Sequence, residues 1–113
     1  MRPLALLLAA ALPAPAAAAP PAQATIPSIG RDGVLEWRAD GIRRVYLRAI
    51  NGRWYRADLS GNCSPLRYVN GIGFRTSAFG NLDNMGAILV ENRSCPIASL
   101  VESPAPPKRR KRP

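Results

Sequence analysis

The chain has 113 residues and carries sixteen lysines and arginines against seven aspartates and glutamates, for a formal net charge of +9. Histidine is absent, which removes the commonest general base and metal ligand at neutral pH. We therefore expect no catalytic site, no cofactor and no metal site. The charge predicts partners that are anionic.

The first 24 residues have the layout of a secretory signal peptide. Arg2 precedes an apolar run over residues 4–12, and small residues offering several A-x-A cleavage points follow. The run is far shorter than the roughly 20 residues that a helix needs to cross a bilayer. We expect a periplasmic or secreted protein with no transmembrane span after cleavage.

The two cysteines lie in the expected folded domain, residues 25–102. A domain of this size gains only roughly 3 to 5 kcal/mol from its core, so a covalent cross-link is expected. Cys63 and Cys95 are the only cysteines, and an exported chain meets an oxidising compartment, which favours a structural disulfide. A redox thiol and a metal site are the alternatives; the cysteines have no C-x-x-C spacing, and a zinc site without histidine would need carboxylate ligands.

Residues 42–59 predict a β-hairpin. Two runs rich in Val, Ile, Tyr and Trp flank Asn51-Gly52, the dipeptide most typical of a two-residue type I′ turn. That turn would place Ala49 opposite Trp54. Neither face of the hairpin would then be cleanly apolar, so a longer turn is the alternative.

The remaining segments predict short elements. Residues 33–39 form either a strand or one loose helical turn, and residues 64–69 begin with Ser-Pro, as a short helical turn does. Residues 72–76 and 87–91 predict strands, with a loop over 77–86 between them. We expect a mainly β domain, a small antiparallel sheet or partly open barrel, with at most a short helical turn and one disulfide.

Three segments of the domain carry a resemblance to a known family. They read RWYRADLSGNCSPL, GIGFRT and AILVENRSCPIASL. The matching positions are Trp54, Tyr55, Cys63, Leu66, Ile72, Phe74, Thr76, Cys95, Pro96, Ile97, Ser99 and Leu100, with Trp37 in a similar upstream stretch. Together they resemble domain of unknown function 6491, a family of small exported bacterial proteins. The resemblance implies a periplasmic or secreted domain with paired cysteines, implies no activity, and does not extend to the basic tail.

Arginines interleaved with aromatics mark a candidate interaction surface. It consists of Arg48, Arg53, Tyr55 and Arg56, with a ring for stacking and guanidiniums for phosphate. The interpretation we favour is structural. Trp54 would pack in the core beside the disulfide, and the arginine stems would cover the sheet edge.

Residues 103–113 predict a disordered, proline-rich basic tail. Its candidate anion-binding or envelope-binding residues are Lys108, Arg109, Arg110, Lys111 and Arg112. Each basic residue near an anionic surface contributes about 1 kcal/mol, weakened by salt. A tether to the envelope and a merely solvated tail both remain open. Nucleic acid is not expected as the physiological partner of an exported chain.

These patterns favour a non-enzymatic exported domain that acts by interaction at the bacterial cell envelope. The alternative is an inhibitor or accessory subunit of another exported protein, bound through the edge of the hairpin. An enzyme ranks third, because the carboxylates are scattered among arginines without a spacing that suggests a catalytic pair.

Overall fold

The computed structural model describes residues 22–107. The basic residues 108–112 and residues 1–21 of the expected signal peptide lie outside the described residues, so the predictions for them stay predictions. Among residues 22–107, no helix combines the length and the apolar character that a bilayer crossing requires.

The described chain forms one curled, half-barrel sheet of six antiparallel strands, which confirms the mainly β prediction. The strands are β1 (Glu36–Asp40), β2 (Arg44–Arg48), β3 (Trp54–Leu59), β4 (Gly73–Arg75), β5 (Ala87–Val90) and β6 (Arg93–Ser103), in the spatial order β1-β2-β3-β6-β5-β4. A 3₁₀ turn covers Ser64–Arg67, as the Ser-Pro pair predicts. One further helical turn, α1 (Ile29–Asp32), is not evident from the sequence.

The turn of the hairpin consists of the three residues 50–52, inside the closing pair Ala49 and Arg53, so the predicted two-residue turn is wrong and the longer alternative is right. The Ala49 N–H donates to the Arg53 carbonyl at 2.9 Å, and the Gly52 N–H donates to the Ala49 carbonyl at 2.8 Å. Gly52 lies at φ 86°, the left-handed conformation that closes such a loop. Leu47 therefore pairs with Tyr55, one position away from the predicted register.

This register gives the hairpin one apolar face. Residues on alternate positions, Val45, Leu47, Tyr55, Ala57 and Leu59, are all buried. The remaining core members are Ile26, Ile29, Ala49, Cys63, Leu66, Leu82, Ile88, Val90, Cys95, Ile97 and Leu100. No polar or charged side chain is buried within residues 22–107. Burial of apolar surface on one side of the curled sheet is thus the main source of its stability.

The longest strand, β6, changes partner along its length. Its first residues pair with β5 and its last residues pair with β3. Asp58 pairs with Ser99 but Leu59 pairs with Ile97, so Ala98 is an extra residue, a β-bulge. The bulge resets the alternation of the strand, and Leu100 faces the same core as Ile97.

The disulfide connects the segment that follows β3 to strand β6. Cys63 follows β3, Cys95 lies in β6, and the two form a disulfide with their Cα atoms 6.0 Å apart. Both are buried. The predicted pairing is confirmed.

The N-terminal end of the described chain packs beside β6. The Ala24 N–H donates to the Leu100 carbonyl at 2.7 Å, and the Leu100 N–H donates to the Gln23 side-chain carbonyl at 2.8 Å. Ile26 and Leu82 exchange backbone hydrogen bonds of 2.8 and 3.0 Å. Residues 23 and 24, which the sequence assigns to the signal peptide, thus bond to the folded domain.

Candidate binding surface on the outer face of the sheet

The side of β1, β2, β3 and the end of β6 that faces away from the core is here named the outer face. Strand pairing arranges its side chains in three rows: Glu36, Arg48, Trp54 and Ser103; Arg38, Tyr46, Arg56 and Val101; Asp40, Arg44, Asp58 and Ser99. Four of these twelve side chains are guanidiniums. These four arginines lie on regularly paired strands, so the spacing of their Cα atoms is set by the backbone of the sheet.

Asp58 holds two of these arginines. The Arg44 Nε donates to Asp58 Oδ1 at 2.7 Å, and the Arg56 Nε donates to Asp58 Oδ2 at 3.1 Å. Asp40 lies 3.8 Å from the other side of Arg44. The hydrogen bond to Asp58 raises the pKa of the Arg44 guanidinium above its ordinary value. Both guanidiniums are therefore oriented before any ligand arrives.

Arg38 is held by a carboxylate and an aromatic ring. Its Nε and Nη2 atoms lie 2.8 and 2.7 Å from Glu36 Oε1, and its guanidinium carbon lies 5.4 Å from the centre of the Trp54 ring. That distance is within the range of a cation–π contact. Trp54 is half-buried and lies on the outer face opposite Arg48, so the prediction that it packs in the core is wrong. The one-residue change in register is the reason, and partly buried Trp37 packs against the core instead.

The candidate surface predicted from sequence divides between the two faces. Arg48 and Arg53 are exposed and weakly held, with Arg48 Nε 3.4 Å from the Gly52 carbonyl and Arg53 3.8 Å from Glu102. Arg56 is half-buried on Asp58. Tyr55 is 5% exposed and faces the core, so its assignment to the surface is wrong. The alternation of a strand places neighbouring side chains on opposite faces, and the register places Tyr55 inside.

Two open hollows lie on this side of the molecule. One, of about 360 Å³, is lined by Asp40, Arg43, Arg44, Asp58 and Leu59. The other, of about 200 Å³, is lined by Arg38, Ala39, Asp40, Tyr46, Pro106 and Pro107. Within residues 22–107, no group of three potential metal-ligating side chains of the His, Cys, Asp or Glu type comes together.

The second hollow shows where the chain leaves the fold. β6 ends at Ser103, opposite Trp54 of β3, but Pro106 and Pro107 lie beside Arg38 and Tyr46 of β1 and β2. Residues 104–107 therefore cross the outer face. The sequence predicts an extended segment here, and contains no signal for the surface against which it lies.

The hairpin has no free edge. β2 pairs with β1 and β3 pairs with β6, so both sides of the hairpin are occupied and the edges of the sheet are β1 and β4. An unpaired hairpin strand, which the hairpin-edge alternative requires, is therefore not present among residues 22–107. Strand β1 and the eleven-residue β6, which cover those sides, are the reason.

No protein-family model, curated protein or solved structure matches this chain. The resemblance to domain of unknown function 6491 stays a prediction from the quoted motifs.

Proposed function

We propose that the protein is an exported, non-enzymatic binding domain, held by its basic C-terminal residues on an anionic surface of the cell envelope. The observation that carries the proposal is the course of residues 104–107. Pro107 lies at the outer face, beside Arg38, and the basic sequence begins at the next residue. The described residues thus end on the side of the molecule that carries the outer-face guanidiniums.

The distribution of charge supports this orientation. Six of the sixteen basic residues, Arg2 and the five of residues 108–112, lie outside the described chain. The described residues keep ten arginines against all seven carboxylates, a net charge of +3. Several of those arginines are engaged by carboxylates of the domain, so the largest uncompensated charge of the sequence is the tail. Attraction to an anionic surface should therefore depend chiefly on the tail and weaken with salt.

The disulfide and the signal-peptide pattern support export. A buried Cys63–Cys95 bond is typical of a domain that folds in an oxidising compartment. The abundant anions of such a compartment are phospholipid headgroups, lipopolysaccharide phosphates and cell-wall polymers.

Vesicle binding tests the proposal. The exported full-length protein is mixed with phosphatidylglycerol vesicles and with phosphatidylcholine vesicles, at low and at high salt. The test variant replaces Lys108, Arg109, Arg110 and Arg112 by serine; the matched control replaces the exposed Arg31, Arg67, Arg75 and Arg93 by serine. After removal of residues 1–24, which contain Arg2, the wild type carries a net charge of +8 and both variants keep +4. We expect the tail variant to lose binding to the anionic vesicles by at least about tenfold at low salt, since each cation contributes about 1 kcal/mol.

The control variant should retain most of its binding. Equal losses in the two variants would show that net charge alone matters, and binding of the wild type to neither vesicle would overturn the proposal.

A protein partner at the edge of β1 is the second candidate. Within the described residues β1 pairs on one side only, with β2, so its other side can accept an extended strand. Capture of a defined exported protein that persists in the tail variant, and is lost in Ala39→Pro, would favour it, because the Ala39 N–H points away from β2 to the free edge. Proline removes the backbone donor that strand addition needs.

A further inference from the structure

The outer face carries a segment of its own chain. Residues 104–107, here named the strap, begin where β6 ends and reach the hollow at Arg38, Asp40 and Tyr46. We propose that the outer face is a docking surface for an extended, proline-containing basic peptide, and that the strap is its occupant in cis. This inference is independent of the envelope tether, because it concerns what the folded domain binds.

The path of the strap requires an extended chain. Ser103 sits on β6 opposite Trp54 of β3, and the residues around the hollow belong to β1 and β2, two and three strands away from β6. Neighbouring strands are about 4.8 Å apart, so the separation of β6 from β2 and β1, measured across the strands, is roughly 10 to 14 Å. Three or four residues in a polyproline II conformation, at about 3.1 Å each, span roughly that distance. The strap therefore runs across the strands and nearly straight.

The composition of the strap suits such a course. It reads Pro-Ala-Pro-Pro, and proline holds φ near the polyproline II value before docking, so little conformational entropy is lost on binding. The Ser103 hydroxyl donates to the Pro104 carbonyl at 2.7 Å, which fixes the start of the segment. The strap is thus a pre-organised ligand.

The surface below the strap has the features that bind proline. Tyr46 offers a half-buried ring in the hollow that Pro106 and Pro107 line, as in aromatic grooves that recognise proline-rich segments. Val101 points to the outer face and is nevertheless only 4% exposed, so this apolar side chain of the outer face is covered by neighbouring atoms. Pro106 is half-buried where it lies.

The hollow contains one exposed carboxylate that a basic continuation of the peptide can contact. The Asp40 carboxylate, 61% exposed, lines the same hollow as Pro107, and the basic sequence follows Pro107 directly. Asp40 is held only at 3.8 Å from Arg44, whereas Asp58 has two close arginines. It is therefore the carboxylate of this surface with the most freedom to attract a cation.

Because the strap is covalently attached to the domain, its effective concentration at the outer face is high, and a weak binding site is enough to hold it. A short linker gives an effective concentration on the order of 1 mM, so a site with a dissociation constant of about 1 mM or tighter is at least half occupied in cis. A surface of this affinity exchanges its own strap for a peptide supplied in trans. The partner in trans is then the same extended, proline-containing segment of a second copy of this chain.

Amide and indole NMR shifts of the full-length protein test the inference. In Pro106→Gly/Pro107→Gly, we expect the Tyr46 amide and the Trp54 indole N–H signals to shift, and the Trp37 indole signal, from the core side, to stay. A synthetic peptide of residues 103–113 added to this variant should move the two signals back towards their wild-type positions. The expected dissociation constant is about 1 mM or tighter.

Two controls keep the proposal falsifiable. A peptide of equal charge with every proline replaced by alanine should bind about tenfold more weakly, a loss of about 1.4 kcal/mol. In the full chain, Tyr46→Ser should release the strap and Tyr68→Ser, at a ring 80% exposed elsewhere, should not. Unchanged outer-face signals in the glycine variant, or equal binding of the two peptides, would overturn the inference.

Discussion

The two parts of the sheet are stabilised in different ways. The hairpin part, formed by β1, β2, β3 and the end of β6, has regular pairing, alternating burial and an outer face of ion pairs. The other part has strands of three and four residues, β4 and β5, and takes core residues such as Ile26, Leu66 and Leu82 from segments outside the strands. A long regular strand pair needs little else, whereas the short pair depends on a cross-link and on close loop packing.

The cross-link should matter most, and mainly for the part with short strands. Cys63→Ser/Cys95→Ser removes a bond that closes a separation of 32 residues, so we expect a loss of about 3 to 4 kcal/mol in the free energy of unfolding. Urea denaturation measures it, and reduction of the wild type should give the same loss.

Hydrogen exchange on the same cysteine variant tests the comparison itself. Amides of β4 and β5 should lose protection before those of β2 and β3. A uniform loss across the sheet would mean that the two parts unfold as one unit.

Loop packing should show the second largest effect, at Gly86. A Cβ atom there would lie 2.7 Å from the Arg75 carbonyl oxygen and 2.7 Å from Leu82 Cδ1. We expect Gly86→Ala to destabilise by about 1 to 3 kcal/mol, through overpacking against a backbone atom that cannot move freely.

Gly61→Ala is the matched control for this substitution. Nothing lies within 4 Å of its Cβ position, and its φ is outside the left-handed range. It should be neutral or stabilise by about 0.4 to 1 kcal/mol, by restricting the unfolded chain. Equal losses for the two alanines would remove close packing as the cause.

The ion pairs of the hairpin part should contribute least. Asp58→Asn weakens the contacts to Arg44 and Arg56, and the carboxylate is 28% exposed, so we expect a loss of about 0.5 to 1 kcal/mol. The loss should shrink in urea denaturation at high salt, because salt screens half-exposed charges. Glu91→Gln, at an exposed turn, serves as control and should change stability less.

Much of this fold follows from local signals in the sequence. The hairpin follows from Asn51-Gly52, the 3₁₀ turn from Ser64-Pro65, and the disulfide from two cysteines in a chain whose N-terminal pattern predicts export. The hairpin register does not follow, because Asn-Gly closes loops of two or three residues, and one residue of difference exchanges the two faces. That single ambiguity decides whether Trp54 or Tyr55 is buried.

The rest of the candidate surface depends on contacts between distant segments. The strand over residues 93–103 is not predicted from the sequence, because it contains Pro96 and proline argues against a strand in a sheet interior. In the fold, Pro96 lies next to the point where β6 exchanges β5 for β3 as its partner. The position of the strap cannot be predicted from the sequence for another reason. Its prolines predict an extended conformation, but only the completed sheet places Tyr46 beside Pro106 and Pro107.

The position of β6 sets an order of events in time. The last strand within residues 22–107 lies in the middle of the sheet, between β3 and β5, and its Leu100 also hydrogen-bonds with Gln23 and Ala24. A chain that is synthesised, or crosses a membrane, from its N-terminus can pair β1, β2 and β3 early. It cannot close the core, seat its first residues or present the outer face with its strap until the final strand has emerged.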